Sequence, residues 1–372
     1  MNSETPFILL ILQATPFCNL DCHYCYLPDR QNKKRFDLNL IPHIMSNLGS
    51  SNLLNKILRV SWHAGEPTVL PTSFYREAFA EFEKHNKYGV KIEHNFQTNA
   101  TLINKEYCEL IKDFNIAIGV SIDGPEHIHD KNRVLRNGKG SFLKTMQGIN
   151  FLQQNNIEYS VITVLTEFSL DYPNEMYDFF KSLNVKSVGF NVEEKEGCHQ
   201  TTTMNETTVS KYRKFLLQFI SKIKEGDFKL YQREYNRIVN SIIYRSEDFK
   251  NGLITPLSTI TVDYEGNFTA FSPELLTVTN NKHDNYIFGN VQTTLFSEIF
   301  VNQNFKNIYS EILEGVAMCK LECDYFNVCG GGSPSSKLHE NGTFASTETN
   351  YCIYNIKVPT DIVLDELTPL IK

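Results

Sequence analysis

From residue 7 to about residue 192, short apolar runs alternate with longer amphipathic stretches. Strands are predicted at residues 7–13, 57–63, 91–97, 116–122, 158–165 and 187–192, with helical patterns between them, among them 72–85, 104–113, 142–155 and 172–183. Strands that alternate with helices predict a parallel sheet, because parallel neighbours need a crossover between them. The fold class is therefore α/β. The six units fit an incomplete (β/α)6 TIM-like barrel better than a flat dinucleotide-binding sheet. Residues 209–247 read as mostly helical. From Pro256 the pattern changes to a hairpin, 259–262 and 268–271, turned through Glu265-Gly266-Asn267, then a helix near 296–314 and a tail rich in cysteine and glycine. This divides the chain into 1–208, a helical bridge at 209–255, and a small C-terminal domain at 256–372.

The polar motifs fall just past the C-terminal ends of these strands. Three cysteines follow the first, His63-Ala64-Gly65-Glu66-Pro67 the second and Gln97-Thr98-Asn99 the third. Ser121-Ile122-Asp123-Gly124-Pro125 ends the fourth, and Asn191-Val192-Glu193-Glu194 the sixth. Barrels of this kind build their active sites on that rim.

Composition narrows the classes. A 41 % hydrophobic and 21 % charged content is ordinary for a globular chain with a real core, and a net charge of −7 argues against a nucleic-acid partner. No segment reaches the ~20 apolar residues of a membrane span. The apolar run 7–12 lacks a basic flank and reads as a strand rather than a signal peptide. A cytoplasmic location with reduced thiols is expected, so clustered cysteines point to metal rather than disulfides.

Seven of the nine cysteines form two groups, while Cys108 and Cys198 stand alone and are expected to be structural. Cys18, Cys22 and Cys25 can converge from one short loop. Three thiolates are one short of closing a structural zinc site or an ordinary iron–sulfur cluster, so a cluster held this way keeps one iron open. A zinc knuckle completed by a distant histidine is the alternative. Cys319, Cys323, Cys329 and Cys352 could close a cluster fully, or a zinc ribbon. Elsewhere, Gly65 lets backbone approach a ligand and Glu66 can accept from an ammonium. Hydroxyl and carboxylate groups at Ser121 and Asp123 suit a ribose, and the Arg133 guanidinium suits a carboxylate. Gln97 and Asn99 face the same rim. His127 and His129 read as ordinary loop residues.

The C-x3-C-x2-C loop followed by an aromatic residue resembles the signature of the radical S-adenosylmethionine (SAM) enzymes. The resemblance implies a [4Fe–4S] cluster on Cys18, Cys22 and Cys25 whose open iron chelates SAM, cleaved after one-electron reduction to a 5′-deoxyadenosyl radical. It implies that Gly65-Glu66-Pro67 receives the SAM amino group, with Ala64 where the family has a first glycine. It also places Tyr24 against the adenine and Gln97, Asn99, Ser121, Asp123, Arg133 and Val192 among the SAM contacts. The second cysteine group resembles the SPASM extension, with one auxiliary [4Fe–4S] cluster rather than two, because no cysteine lies between Cys198 and Cys319.

The loop sequences around 267–276 and 329–349 resemble those of maturases that build three-residue cyclophanes in ribosomal peptides. The expected partners are then a precursor peptide with a leader and a flavodoxin or ferredoxin donor, with no nucleic acid and no membrane. Glu274 takes the place where sulfatase-maturating relatives have an aspartate base. Because the first strand is predicted from residue 7, leader recognition is expected to use the barrel, the bridge or a separate protein rather than an N-terminal leader-binding domain. Formylglycine formation in a sulfatase and peptide epimerisation, with Cys198 as hydrogen donor, are alternatives in the same superfamily. A non-catalytic iron–sulfur or zinc protein is a third.

Overall fold

A computed structural model describes residues 9–244, 251–276, 278–280 and 284–371. Six strands, β1 (Leu9–Leu12), β2 (Ile57–Trp62), β3 (Lys91–Thr98), β4 (Ala117–Ser121), β5 (Tyr159–Leu165) and β6 (Ser187–Val192), lie side by side in chain order, all parallel. Residues 7 and 8 of the first predicted strand lie outside the described residues. The crossovers are α1 (Leu40–Ser50), α2 (Thr72–Lys84), α3 (Lys105–Phe114), the pair α4 (Glu126–Asn132) and α5 (Phe142–Gln154), and α6 (Pro173–Ser182). His127 and His129, expected in a loop, belong to α4, because Pro125 leads into a helical turn there.

The two faces of the sheet differ in chemistry. On β2, buried Leu58, Val60 and Trp62 alternate with half-exposed Ile57, Arg59 and Ser61. The buried set packs under the helices, where Trp62 lies 6.2 Å from the ring of Phe74 and 5.3 Å from that of Tyr75. The half-exposed set is polar: Arg59 Nε pairs with Glu93 Oε2 at 3.2 Å and Ser61 Oγ donates to Asn95 Oδ1 at 2.7 Å. Closed barrels fill this interior with branched apolar side chains. Here the inner face carries polar, part-exposed side chains instead.

The predicted bridge is α7 (Val209–Glu225), β7 (Tyr231–Gln232) and α8 (Arg233–Ile243), with β7 adding to the edge of β6; residues 245–247 lie outside the described residues. Beyond it, β8 (Thr259–Val262) pairs in parallel with β1, in the register Leu9↔Thr259 to Leu12↔Val262. β9 (Asn267–Thr269) returns antiparallel through a turn at Gly266 (φ +88°). A separate two-stranded sheet, β10 (Thr279–Asn280) and β11 (Asp284–Asn285), precedes β12 (Gly289–Asn290), which pairs with β9. The hairpin thus continues the barrel sheet.

The helix expected near 296–314 is instead a 3-10 turn, Phe296–Phe300, followed by α9 (Gln303–Glu322). Asn302 restarts the helix by accepting from Phe305 N at 3.0 Å. Then come α10 (Phe326–Cys329), α11 (Pro334–Asn341), a π-helical turn at Cys352–Lys357 and α12 (Val358–Ile371). Part of the loop read at 329–349 is instead α11, with Ser333 as N-cap and Pro334 at the first turn. α12 packs on α7 and α8, with Arg213 bonded to Asp365 at 2.6 Å and Tyr354 Oη to the Asn205 carbonyl at 2.6 Å. The C-terminal third therefore grips both edges of the open sheet.

Candidate active site at the strand ends

Cys18, Cys22 and Cys25 are free thiols, each partly exposed, on the loop after β1. The stretch between α4 and α5 braces that loop. Asp21 N donates to the Val134 carbonyl at 2.8 Å, His23 N to that of Asn132 at 3.0 Å, and Arg136 Nε to that of Cys18 at 2.7 Å. Burial, reinforced for Cys18 by Glu66, pushes the Cys18 and Cys22 thiols up to about 12; Arg133 and Arg30 pull Cys22 the other way. Positive charge bound at the sulfurs is what such thiols need to ionise. Three thiolates on one short loop suit a cluster in which each sulfur binds its own iron.

Gly65 has φ +129°, and a Cβ there would stand 1.9 Å from the Thr15 carbonyl oxygen. Ala64 accepts the left-handed region as well, at φ +66°. Glu66 is turned inward: it accepts from Thr68 N at 2.9 Å, Thr68 Oγ1 at 2.5 Å, Thr98 Oγ1 at 2.6 Å and Asn99 N at 2.8 Å. Burial raises its pKa, and those donors partly counter the shift. One lone pair remains on Oε2, so the motif ties β2 to β3 and offers chiefly backbone to a ligand. Asn99 reaches back to the cysteine loop, donating to Asn19 Oδ1 at 2.9 Å with Cys18 Sγ 4.0 Å away. Gln97 Nε2 donates to Ser121 Oγ at 2.9 Å on the inner face, and Gly119 leaves the space Gln97 occupies.

Asp123, expected to offer its carboxylate to a ribose, is buried and engaged internally. It accepts from the Tyr24 hydroxyl, from Arg133 Nε at 3.0 Å and from Val164 N at 3.0 Å. The Arg133 guanidinium lies 5.4 Å from the Tyr24 ring centre. His129, kept neutral by burial and by Arg133, accepts from Asp123 N through Nδ1 at 3.4 Å and so donates through Nε2 to Ser141 Oγ at 2.9 Å. Val192 is buried at the end of β6.

Glu274 lies in an acidic recess with Glu194, Glu196 and Glu340. Burial, then Glu340 and Glu274, pushes Glu194 up to about 8. Burial and the charges of Glu274 and Glu194 raise Glu196 well above the usual carboxylate range, and burial raises Glu274. The recess reaches the cysteine loop through Tyr26, the neighbour of Cys25, whose acidity falls through burial, Glu274 and Cys25. It reaches the second cysteine group through α11, where Ser336 Oγ donates to Glu194 Oε2 at 3.3 Å, and through the π-helical turn, where Asn355 Nδ2 donates to Oε1 at 3.4 Å.

Cys319 sits at the end of α9, Cys323 caps it, Cys329 ends α10 and Cys352 opens the π-helical turn. Burial, then the charges of Cys352 and Cys319, raises the Cys329 thiol to about 11, and burial with the Cys319 charge shifts Cys352 upward. Gly332 N donates to Cys329 Sγ at 3.1 Å, and Thr349 Oγ1 to Cys352 Sγ at 3.4 Å. Free thiols with amide and hydroxyl donors aimed at sulfur fit a cluster site. Cys198 is exposed and its thiol donates to the carbonyls of Cys25 at 3.4 Å and Leu27 at 3.3 Å, beside a cavity of about 580 Å³ also lined by Arg30 and Arg136. Cys108 is buried behind α5.

Arg136, Arg30, His129, Glu194 and Glu196 were not singled out as site residues from the sequence. Only Glu194 carried a signal, its place at the end of β6.

The radical SAM superfamily matches residues 12–180. The chain is 42 % identical to the uncharacterized protein sll1766 of Synechocystis, over 97 % of this chain and 92 % of that one. It is 27 % identical to a serine-type anaerobic sulfatase-maturating enzyme of Bacteroides thetaiotaomicron, over 90 % of this chain and 84 % of that enzyme. Two of the solved structures that share the fold carry a bound peptide. One is anSMEcpe with bound AdoMet and the Cp18Cys peptide (TM-score 0.80, 21 % identity, 98 % of this chain, 99 % of that one). The other is Streptococcus suis SuiB bound to the precursor peptide SuiA (TM-score 0.65, 14 % identity, 94 % and 76 %).

Proposed function

This chain belongs to the radical SAM superfamily, and on that footing we propose that it is a peptide-modifying oxidoreductase. It removes a Cβ hydrogen from a ribosomally made precursor peptide and bonds that carbon to a nearby aromatic ring, closing a cyclophane. A [4Fe–4S] cluster on Cys18, Cys22 and Cys25 with SAM supplies the one-electron chemistry that makes a hydrogen-abstracting radical, and a second cluster on Cys319, Cys323, Cys329 and Cys352 supplies an electron acceptor. A flavodoxin or ferredoxin is the electron donor.

The chain's own residues position these parts. Arg136, Arg30 and residues 132–134 hold the cysteine loop. Tyr24 and Arg133, locked by Asp123, offer an aromatic face and a cation to SAM. Gln97 and Ser121 line the inner face where the peptide and the ribose meet. Peptides are bound in both structural relatives, anSMEcpe and SuiB, which supports a peptide substrate.

The observation that carries this reading is the glutamate recess between the two cysteine groups. A ring that has added a carbon radical must lose one electron and one proton to become aromatic again. Proton acceptors work best with affinities near ambient pH, and burial beside Glu340 and Glu274 raises Glu194 to about 8, while burial raises Glu274 as well. Glu274 is the proposed base. The similarity to a sulfatase-maturating enzyme favours a second reading, formylglycine formation. The cysteine-free stretch between Cys198 and Cys319, and Glu274 in place of an aspartate, weigh against it.

The test is anaerobic co-expression with a candidate precursor peptide encoded beside the gene. Loss of two hydrogens, mapped by fragmentation to a segment with an aromatic residue, is expected. An unchanged mass with deuterium gained from heavy water would replace crosslinking by epimerisation.

A further inference from the structure

Lys337 is a charge in an unusual place. It belongs to α11, is only 2 % exposed, and its ammonium donates to Cys319 Sγ at 3.3 Å. Among the described residues no carboxylate pairs with it. Its path is cleared by two glycines: a Cβ on Gly315 would stand 3.1 Å from the ammonium, and one on Gly332 3.4 Å from Cε. The Gly332 Cβ would also lie 3.7 Å from Cys352 Sγ, and the Lys337 charge acts on the Cys352 thiol as well. Buried ammonium groups are costly unless an anion compensates them, and the anions within reach are thiolates.

We infer that Lys337 is a positioning residue of the second cysteine group, the fixed counter-charge that raises the reduction potential of the cluster those cysteines hold. This rests on the proposal that Cys319, Cys323, Cys329 and Cys352 bind a [4Fe–4S] cluster. Reduction adds a negative charge, and a cation held against a ligand sulfur stabilises the reduced form more than the oxidised one. Net charge and hydrogen bonds to sulfur are established determinants of cluster potential. The lysine therefore favours uptake of the electron that the peptide adduct gives up as its proton goes to a carboxylate.

The experiment uses the full chain with Cys18, Cys22 and Cys25 replaced by alanine, so that only the second site titrates. Iron and sulfide are counted after anaerobic reconstitution, and the midpoint potential is followed by electron paramagnetic resonance. The parent is expected to bind about four irons. Lys337→Met and Lys337→Gln should keep them while the reduced-to-oxidised ratio at a fixed potential falls about tenfold, about 59 mV for one electron; Lys337→Arg should restore it. Equal midpoints in all four proteins, with iron retained, overturn the inference. Loss of iron in Met and Gln but not in Arg supports it, and loss in all three variants overturns it. A parent that binds zinc or no iron overturns the cluster proposal itself.

Discussion

Replacing Asp123 by asparagine is expected to cost about 3 kcal/mol of stability while leaving the side chain's size unchanged. Asp123 is 1 % exposed and Arg133 7 %. The carboxylate accepts from Arg133 Nε at 3.0 Å, from Val164 N at 3.0 Å and from the Tyr24 hydroxyl. Asparagine keeps an Oδ1 for Val164 and Arg133 but loses the charge, so a buried guanidinium is left uncompensated. Removing one partner of a buried ion pair costs about 3–5 kcal/mol, and the surviving hydrogen bonds argue for the lower end. At a urea slope of about 3 kcal/mol/M, that moves the unfolding midpoint by about 1 M. The assay is urea unfolding of the apoprotein by circular dichroism, with SAM binding measured on the reconstituted protein. Asp123→Asn/Arg133→Met should recover most of the loss, because a buried pair replaced together by neutral groups is often neutral in cost. A midpoint unchanged in the single variant, or a double variant no better than the single, would refute the charge argument.

Gly65→Ala should weaken SAM binding at least tenfold (about 1.4 kcal/mol), since its Cβ would meet the Thr15 carbonyl at 1.9 Å; equilibrium dialysis showing an unchanged Kd would contradict this. Cys22→Ala should abolish deoxyadenosine formation, whereas Cys329→Ala should leave uncoupled SAM cleavage without modified peptide; a fully active Cys329→Ala enzyme would make the second group purely structural. Glu194 carries its proton more tightly in the folded chain, with its value raised from 4.5 to about 8. Its stabilisation is therefore complete below pH 4.5 and is lost as pH rises to about 8, because the native state binds the extra proton across that window. Glu194→Gln should flatten the fall in urea midpoint over this range, and an identical slope in both proteins would show that Glu194 does not hold the proton.

What the sequence made legible was local. The cysteine triplet, Gly65-Glu66 and the strand-end placement of Gln97, Asn99 and Ser121 depend on short spacings and on the strand–helix alternation, and the sheet forms in that order. Through-space pairings were hidden. β8 joins β1 across almost the whole barrel sequence, and Arg136 clamps the Cys18 carbonyl from 118 positions away. Nothing in a single sequence reports such partners. The same holds for Asp123, whose position was found but whose carboxylate faces Tyr24 and Arg133 rather than open space, and for Glu194 and Glu196, which meet Glu274 only after folding. α11 is a different kind of miss. Ser333-Pro334 is an N-cap followed by a first-turn proline, a helix-start signal outweighed by the glycines before it.

The most direct test of the central claim uses a precursor peptide whose aromatic ring carries deuterium at every carbon position. Anaerobic turnover is expected to give a product that has lost one ring deuterium and one Cβ hydrogen, with the Cβ hydrogen recovered in deoxyadenosine. A modified peptide that retains every ring deuterium would contradict crosslinking to the ring.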